Sequence, residues 1–117
     1  GGAVRFVTSP SIAFLETAPE SFDLIFLDGD HSAATVYREL PAALRRLAPG
    51  GLILLHDYFP DGRPLWTGDV VIAGPWLGVE RLRQEGARLQ VLPLGELRWP
   101  TKLGRPVTSL AVVVGTP

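Results

Sequence analysis

Two short runs in this chain concentrate groups that can bind metals, hold polar ligands or move protons: Asp28-Gly29-Asp30-His31-Ser32 and His56-Asp57. Carboxylate oxygens with an imidazole suit hard or borderline divalent cations such as Mg or Mn. The same groups could hold a polar cofactor through hydrogen bonds. They could also serve structure alone, since Asp and Ser cap turns and helices. Imidazole titrates near neutral pH, which makes His31 and His56 candidate general bases.

The choice among these readings depends on whether the two runs meet. Each follows an apolar stretch, Phe22-Asp23-Leu24-Ile25-Phe26-Leu27 and Gly51-Leu52-Ile53-Leu54-Leu55. Such near-continuous runs suit strands buried on both faces, as in a parallel sheet. Between them Ser32 is placed to cap a helix over 33–47. Val36, Leu40, Ala43, Leu44 and Leu47 give that helix one apolar stripe. Pro41 predicts a kink or split in it, and Pro49-Gly50-Gly51 predicts its end. Leu24–Leu27 and Leu52–Leu55 should then be adjacent parallel strands joined by a right-handed crossover. Open parallel sheets place ligands at the carboxyl ends of their strands. Asp28, Asp30, His31, His56 and Asp57 would therefore share one edge, with Asp28 and Asp57 near enough to hold one ligand.

The remaining segments complete an α/β pattern. Arg5–Val7 has strand character, and Ser11–Leu15 reads as a short helix. Tyr58–Gly68 is a Pro-, Gly- and Asp-rich loop. A helix is expected within Asp69–Gly86, weakened by Gly74-Pro75. Arg88–Leu94 and Thr108–Val114 read as strands, joined by a loop or hairpin arm over Gly95–Pro106. No helix is evident between these last two strands, which predicts an antiparallel pair at one edge. Tyr58 and Phe59, following His56-Asp57, are placed to line a pocket, whereas at least two of Trp66, Trp76 and Trp99 are expected to pack loops.

Composition limits the function classes. With 117 residues and 46% hydrophobic content, one small globular domain is expected. Cysteine is absent, which excludes disulfides, thiolate metal sites and Cys nucleophiles. The longest apolar runs, Leu52–Leu55 and Leu110–Val114, are far short of a membrane span, and the opening residues lack a secretory pattern. A soluble, cytoplasmic protein without membrane partners is expected. The chain has no Met, and Gly1-Gly2 runs almost at once into Val4-Arg5-Phe6-Val7, so it reads as a piece of a longer protein. Net charge is −1, unevenly placed, with the acidic excess before residue 76 and the basic excess after it. The basic residues form no run, so no nucleic-acid interface is expected.

Phe22-Asp23-Leu24-Ile25-Phe26-Leu27-Asp28-Gly29-Asp30-His31-Ser32, followed by Leu47-Ala48-Pro49-Gly50-Gly51-Leu52-Ile53-Leu54-Leu55-His56-Asp57, resembles the class I S-adenosylmethionine-dependent methyltransferases. The likeness is to the small-molecule branch with DGDHS after the fourth strand and HD after the fifth. It covers residues 3–57 well and the rest loosely. It implies a Rossmann-like fold, truncated at the N-terminus, whose sheet is mostly parallel with an antiparallel C-terminal edge.

In that fold Val4–Val7 would be the third strand. Ser9 and Ser11, with Thr8, would occupy the turn that contacts the cofactor's adenine, or else cap the following helix. Asp28, Gly29, Asp30 and His31 would lie against S-adenosylmethionine. Asp28, His56 and Asp57 match the positions that hold Mg or another divalent cation in metal-dependent members, although His56 replaces the usual carboxylate. Asp28, His31 and His56 become the catalytic candidates.

The implied reaction is methyl transfer to a small hydroxylated or carboxylated acceptor. The alternative is a non-catalytic module acting in binding or dimerisation. A nucleotide-binding oxidoreductase is disfavoured, because no GxGxxG fingerprint occurs. The family's glycine-rich cradle and ribose-binding acid have no counterpart here, so weak cofactor binding is expected. Exposed sheet edges recruit partners, and a homodimer is expected through them.

Overall fold

A computed structural model describes residues 2–117. Among these the element order is α1 (Ser11–Thr17), β1 (Phe22–Leu27), α2 (Ala33–Arg45), β2 (Leu47–Leu55), a 3-10 turn (Pro60–Gly62), α3 (Gly74–Gln84), β3 (Leu89–Glu96) and β4 (Val107–Gly115). The strands form one mixed sheet in the order β1-β2-β4-β3.

β1 and β2 are adjacent and parallel, with Leu24 opposite Leu52 and Leu27 opposite Leu55. Helix α2 crosses between them, as its apolar stripe requires. β4 runs antiparallel to both β2 and β3. The expected antiparallel C-terminal pair is therefore present, with β3 at the edge. The sheet is mixed: β1 and β2 pair in parallel, while β4 runs against both of its neighbours, so β1, β2 and β3 share one direction and only β4 is reversed. β4 pairs directly with β2, and the short β3–β4 connection permits only antiparallel pairing.

The core occupies one face of the sheet. Ile53, Leu55, Val91, Ala111 and Val113 from the strands meet Val36, Leu40, Ala43, Val79 and Leu82 from α2 and α3. Leu40 and Val79 are fully buried, and each stabilises the fold by about 1.5–3 kcal/mol through apolar burial.

The opposite face is not covered by any described element. Leu24 and Phe26 are 55% and 53% exposed, as are Leu92 and Leu94 at 48% and 43%. This corrects the expectation that β1 is buried on both faces. Its apolar run is continuous, yet α1, α2 and α3 join a single core cluster and screen only alternate residues.

Four local expectations also change. Val4–Val7 forms no strand, and Val4, Phe6 and Val7 are exposed. A strand is held by a neighbour's backbone, and no described strand lies beside this segment. Helix α2 is not split at Pro41 but runs through it. It ends at Arg45, before Pro49-Gly50-Gly51, which lies inside β2. There Gly50 takes φ 78°, and Gly51 approaches the carbonyl oxygens of Ala48, Phe22 and Asp23, which a Cβ would meet at 2.9–3.1 Å. The glycines thus let β2 pass close to β1 where their register shifts. Finally, Gly74-Pro75 does not weaken α3 but starts it, with Pro in the first turn, where its missing N–H costs nothing.

Candidate functional site

The parallel pairing of β1 and β2 continues to the strand ends, where the His56 amide donates to the Leu27 carbonyl at 3.1 Å. That bond sets the two chemistry-bearing turns side by side. The Tyr58 amide then donates to the Ser109 carbonyl of β4 at 2.8 Å, fixing the turn after β2 from its other side. Asp57, between these anchors, has φ 57°. Asp tolerates this left-handed conformation better than most residues, and such backbone strain often marks functional sites.

The side chains converge accordingly. His31 Nδ1 lies 2.8 Å from Asp57 Oδ2. His56 Nδ1 lies 2.9 Å from Asp28 Oδ1 and 3.0 Å from the same Asp57 oxygen. Asp57 is 8% exposed, whereas Asp28 and His31 reach solvent. One nearly buried carboxylate is thus shared by two imidazoles, and a second carboxylate closes the group.

His56 Nδ1 is itself buried and has no directed hydrogen bond. Both carboxylate oxygens are near enough, but neither lies along the ring N–H. A buried ring nitrogen between two carboxylates, without a directed bond to either, fits a site for an added cation. Donor atoms of Asp28, His31 and Asp57 all lie within 4.8 Å of one another, near the span that ligands of one divalent ion can bridge. The set thus includes His31, assigned from the sequence to catalysis and cofactor contact, beside Asp28 and Asp57. His56 faces the same two carboxylates.

The other predicted cofactor contacts are engaged elsewhere. Asp30 accepts from the Ser32 amide at 3.1 Å and from the Thr35 hydroxyl at 2.8 Å. These bonds, Thr35 first, hold its carboxyl below the usual carboxylate range. Ser32 caps α2 as expected, accepting from the Thr35 amide at 3.2 Å. Gly29 is exposed at the start of this turn. Ser9 donates to the Pro10 carbonyl, and Ser11 to Glu39 Oε1 at 3.1 Å. Neither serine caps α1, whose N-cap residue is Pro10.

Sequence reasoning missed two residues that support the site. Glu39 is 5% exposed within α2, and burial raises its carboxyl pKa while the Ser11 hydrogen bond partly opposes the rise. It lines a cavity of about 10 Å³ together with Gly29, His31 and His56, a space for a single water at most. Ser11 therefore reaches the cluster only through Glu39. The second residue is Gly74, whose position leaves no room for a Cβ beside the His31 carbonyl. The signal for Glu39 was an acid inside the apolar stripe of α2. Gly74 gave no sequence signal, because it acts through a contact between distant segments.

Next to His56 and Asp57 opens a recess of about 340 Å³, walled by Phe59, Trp66 and residues of the β3–β4 arm. Of the two aromatic pocket candidates, Phe59 lines it and Tyr58 is buried in the core. The tryptophans do not behave as a group. Trp66 lines the recess, Trp76 packs on the core, and Trp99 is 79% exposed.

Among the described residues no helix is long and apolar enough to cross a membrane. A family model described as a methyltransferase domain matches residues 1–58. No curated protein matches the sequence. In three dimensions the chain is similar to a crystal structure described as a putative O-methyltransferase from Klebsiella pneumoniae, with a TM-score of 0.60 and 26% identity. The likeness covers 92% of this chain and 47% of that one, so the chain spans about half its length.

Proposed function

We propose, from the match of residues 1–58 to a family model described as a methyltransferase domain, that the chain carries the acceptor-side part of a site for S-adenosylmethionine-dependent methyl transfer to a small hydroxylated acceptor. The observation that carries this reading is the meeting of Asp28, His31, His56 and Asp57 at the ends of two adjacent parallel strands.

S-adenosylmethionine, when bound, supplies the methyl group as a sulfonium whose carbon–sulfur bond breaks as the acceptor's oxygen–methyl bond forms. The chain's own part is alignment and proton removal. His56 lines the recess with Nδ1 set against Asp28 and Asp57. That leaves Nε2 to take the proton from the acceptor hydroxyl, and the flanking carboxylates stabilise the resulting imidazolium. Asp57 restrains both imidazoles at once, and His31 steadies Asp57 from the other side. Asp28, His31 and Asp57 would hold a divalent cation if one is bound, and such an ion would lower the pKa of a hydroxyl placed against it.

The test is S-adenosylhomocysteine release at millimolar S-adenosylmethionine with Mg and a panel of small hydroxylated acceptors. Turnover should fall about a hundredfold or more in His56→Ala and Asp57→Asn. Turnover unaffected by either substitution would remove the reading.

The uncovered apolar face favours a second reading, a binding or dimerising module. Leu24, Phe26, Leu92 and Leu94 lie exposed on it, and apolar patches of this kind serve as interfaces. Pairing of two copies through this face would bury them. Sedimentation should then show a dimer that Phe26→Glu dissociates; a monomer at tens of micromolar chain would dismiss this reading.

A further inference from the structure

The donor atoms at the ends of β1 and β2 are of two kinds. Asp28, His31 and Asp57 each place one donor within 4.8 Å of the others, which makes two carboxylate oxygens and one imidazole nitrogen. The two carboxylates match the charge of one divalent ion. Asp30 adds no donor, since its oxygens accept from the Ser32 amide and the Thr35 hydroxyl. The side chains of Asp28 and His31 are 44% and 43% exposed, so water can fill the remaining positions around an ion. His56 Nδ1, buried without a directed hydrogen bond, faces the same two carboxylates. An orphaned buried donor of this kind calls for a further group that completes the cluster.

Distance limits the size of that ion. His31 Nδ1 stands 2.8 Å from Asp57 Oδ2. Neighbouring ligand atoms on an octahedral ion with bonds of about 2.1 Å lie about 3.0 Å apart. Such an ion can enter beside these two atoms with little movement of either side chain. Calcium, with bonds of about 2.4 Å and a preference for oxygen throughout, matches neither the spacing nor the donors. Magnesium and the first-row transition metals match the spacing.

Between these, the nitrogen decides. Magnesium takes oxygen ligands and gives up its water reluctantly. Manganese, iron, cobalt, nickel and zinc accept imidazole readily, and their affinity for a nitrogen–oxygen site rises along most of the row. Cysteine is absent, so no thiolate shifts the site toward softer ions. We infer that this site selects a first-row transition-metal dication over Mg, and that the His31 imidazole makes the selection. The inference rests on the cation site within the methyl-transfer reading, and not on methyl transfer itself.

The experiment is calorimetric titration of the untagged chain with Co and with Mg, without methyl donor, with the visible absorption of bound Co read in parallel. Co should bind about a hundredfold more tightly than Mg. His31→Asp exchanges the nitrogen for a third carboxylate and should cut that ratio to about tenfold or below. His31→Gln adds no charge; it should weaken Co by about tenfold or more, the loss that even an outer partner of a ligand causes, and leave Mg nearly unchanged. Equal affinities for the two ions in the unmodified chain, or a Co preference that survives both substitutions, would overturn the inference. Binding of neither ion at millimolar concentration would overturn it together with the cation site. Methyl transfer fails separately. Co-selective binding without turnover of any acceptor removes methyl transfer and leaves the ion selection standing. Turnover with equal affinity for Co and Mg does the reverse.

Discussion

Gly74, at the start of α3, lies so close to the main-chain carbonyl of His31 that any Cβ would overlap it. The helix that completes the core thereby also sets the height of an imidazole in the site. Gly74→Ala should displace the His31 turn rather than merely stiffen α3. The expected cost is about 1–3 kcal/mol of stability, as for overpacking in a close contact. Divalent-cation affinity should fall with it. Thermal unfolding and a Mn titration of the same variant check both effects, and a stable variant with unchanged Mn affinity would separate Gly74 from the site.

Ser32 caps α2 within a small network that includes Asp30 and Thr35. Ser32→Ala should cost about 0.5–2 kcal/mol, a drop of several degrees in melting temperature for a chain of this size. Asp30 adds a pH dependence. Its carboxyl is held below the ordinary value of 3.8, so its contribution is present above that value and is lost as pH falls through the lowered one. Asp30→Asn should flatten the acid limb of the stability curve.

Glu39 has the opposite sign. Burial raises its pKa above the ordinary 4.5, so the folded state binds a proton more tightly than the unfolded chain does. Stability should therefore fall as pH rises from about 4.5 through the raised value. Glu39→Gln keeps an acceptor for Ser11 and removes the buried charge. Its unfolding midpoint should exceed that of the unmodified chain at pH 7, and the gain should vanish below the ordinary carboxylate pKa. A constant difference at all pH values would show that charge is not the cause.

Much of the site was legible because it lies on consecutive residues at strand ends. Periodicity placed β1, α2 and β2, and the parallel pairing followed from their order. Position after apolar runs then joined Asp28 and His31 to His56 and Asp57. The face of β1 was not legible, because a continuous apolar run does not reveal how many helices will cover it. The fate of Val4–Val7 was hidden for a related reason, since strand propensity cannot supply a partner. The Gly50-Gly51 crossing and the Gly74–His31 contact depend on the approach of two backbones, which sequence spacing does not encode.

Cofactor affinity follows from which contacts the chain offers. Ser11 is tied to Glu39 and Asp30 to the α2 cap, and no glycine fingerprint is present in the 117 residues. Each missing charge-assisted contact costs about 1.5–3 kcal/mol. The chain by itself should bind S-adenosylmethionine at about millimolar strength or weaker. Calorimetry gives the answer, and a low-micromolar dissociation constant would mean that the residues bound to Glu39 and the α2 cap are released for the ligand.

The central claim is that Asp28, His31 and Asp57, with His56 against them, form one cation-dependent site. Its most direct test is electron paramagnetic resonance of Mn titrated into the unmodified chain, Asp28→Asn and Asp57→Asn. We expect one bound Mn per chain, an affinity loss of about tenfold or more in each variant, and nitrogen couplings from imidazole in the bound spectrum. Absence of bound Mn at millimolar concentration, or binding unchanged by both substitutions, would contradict the account.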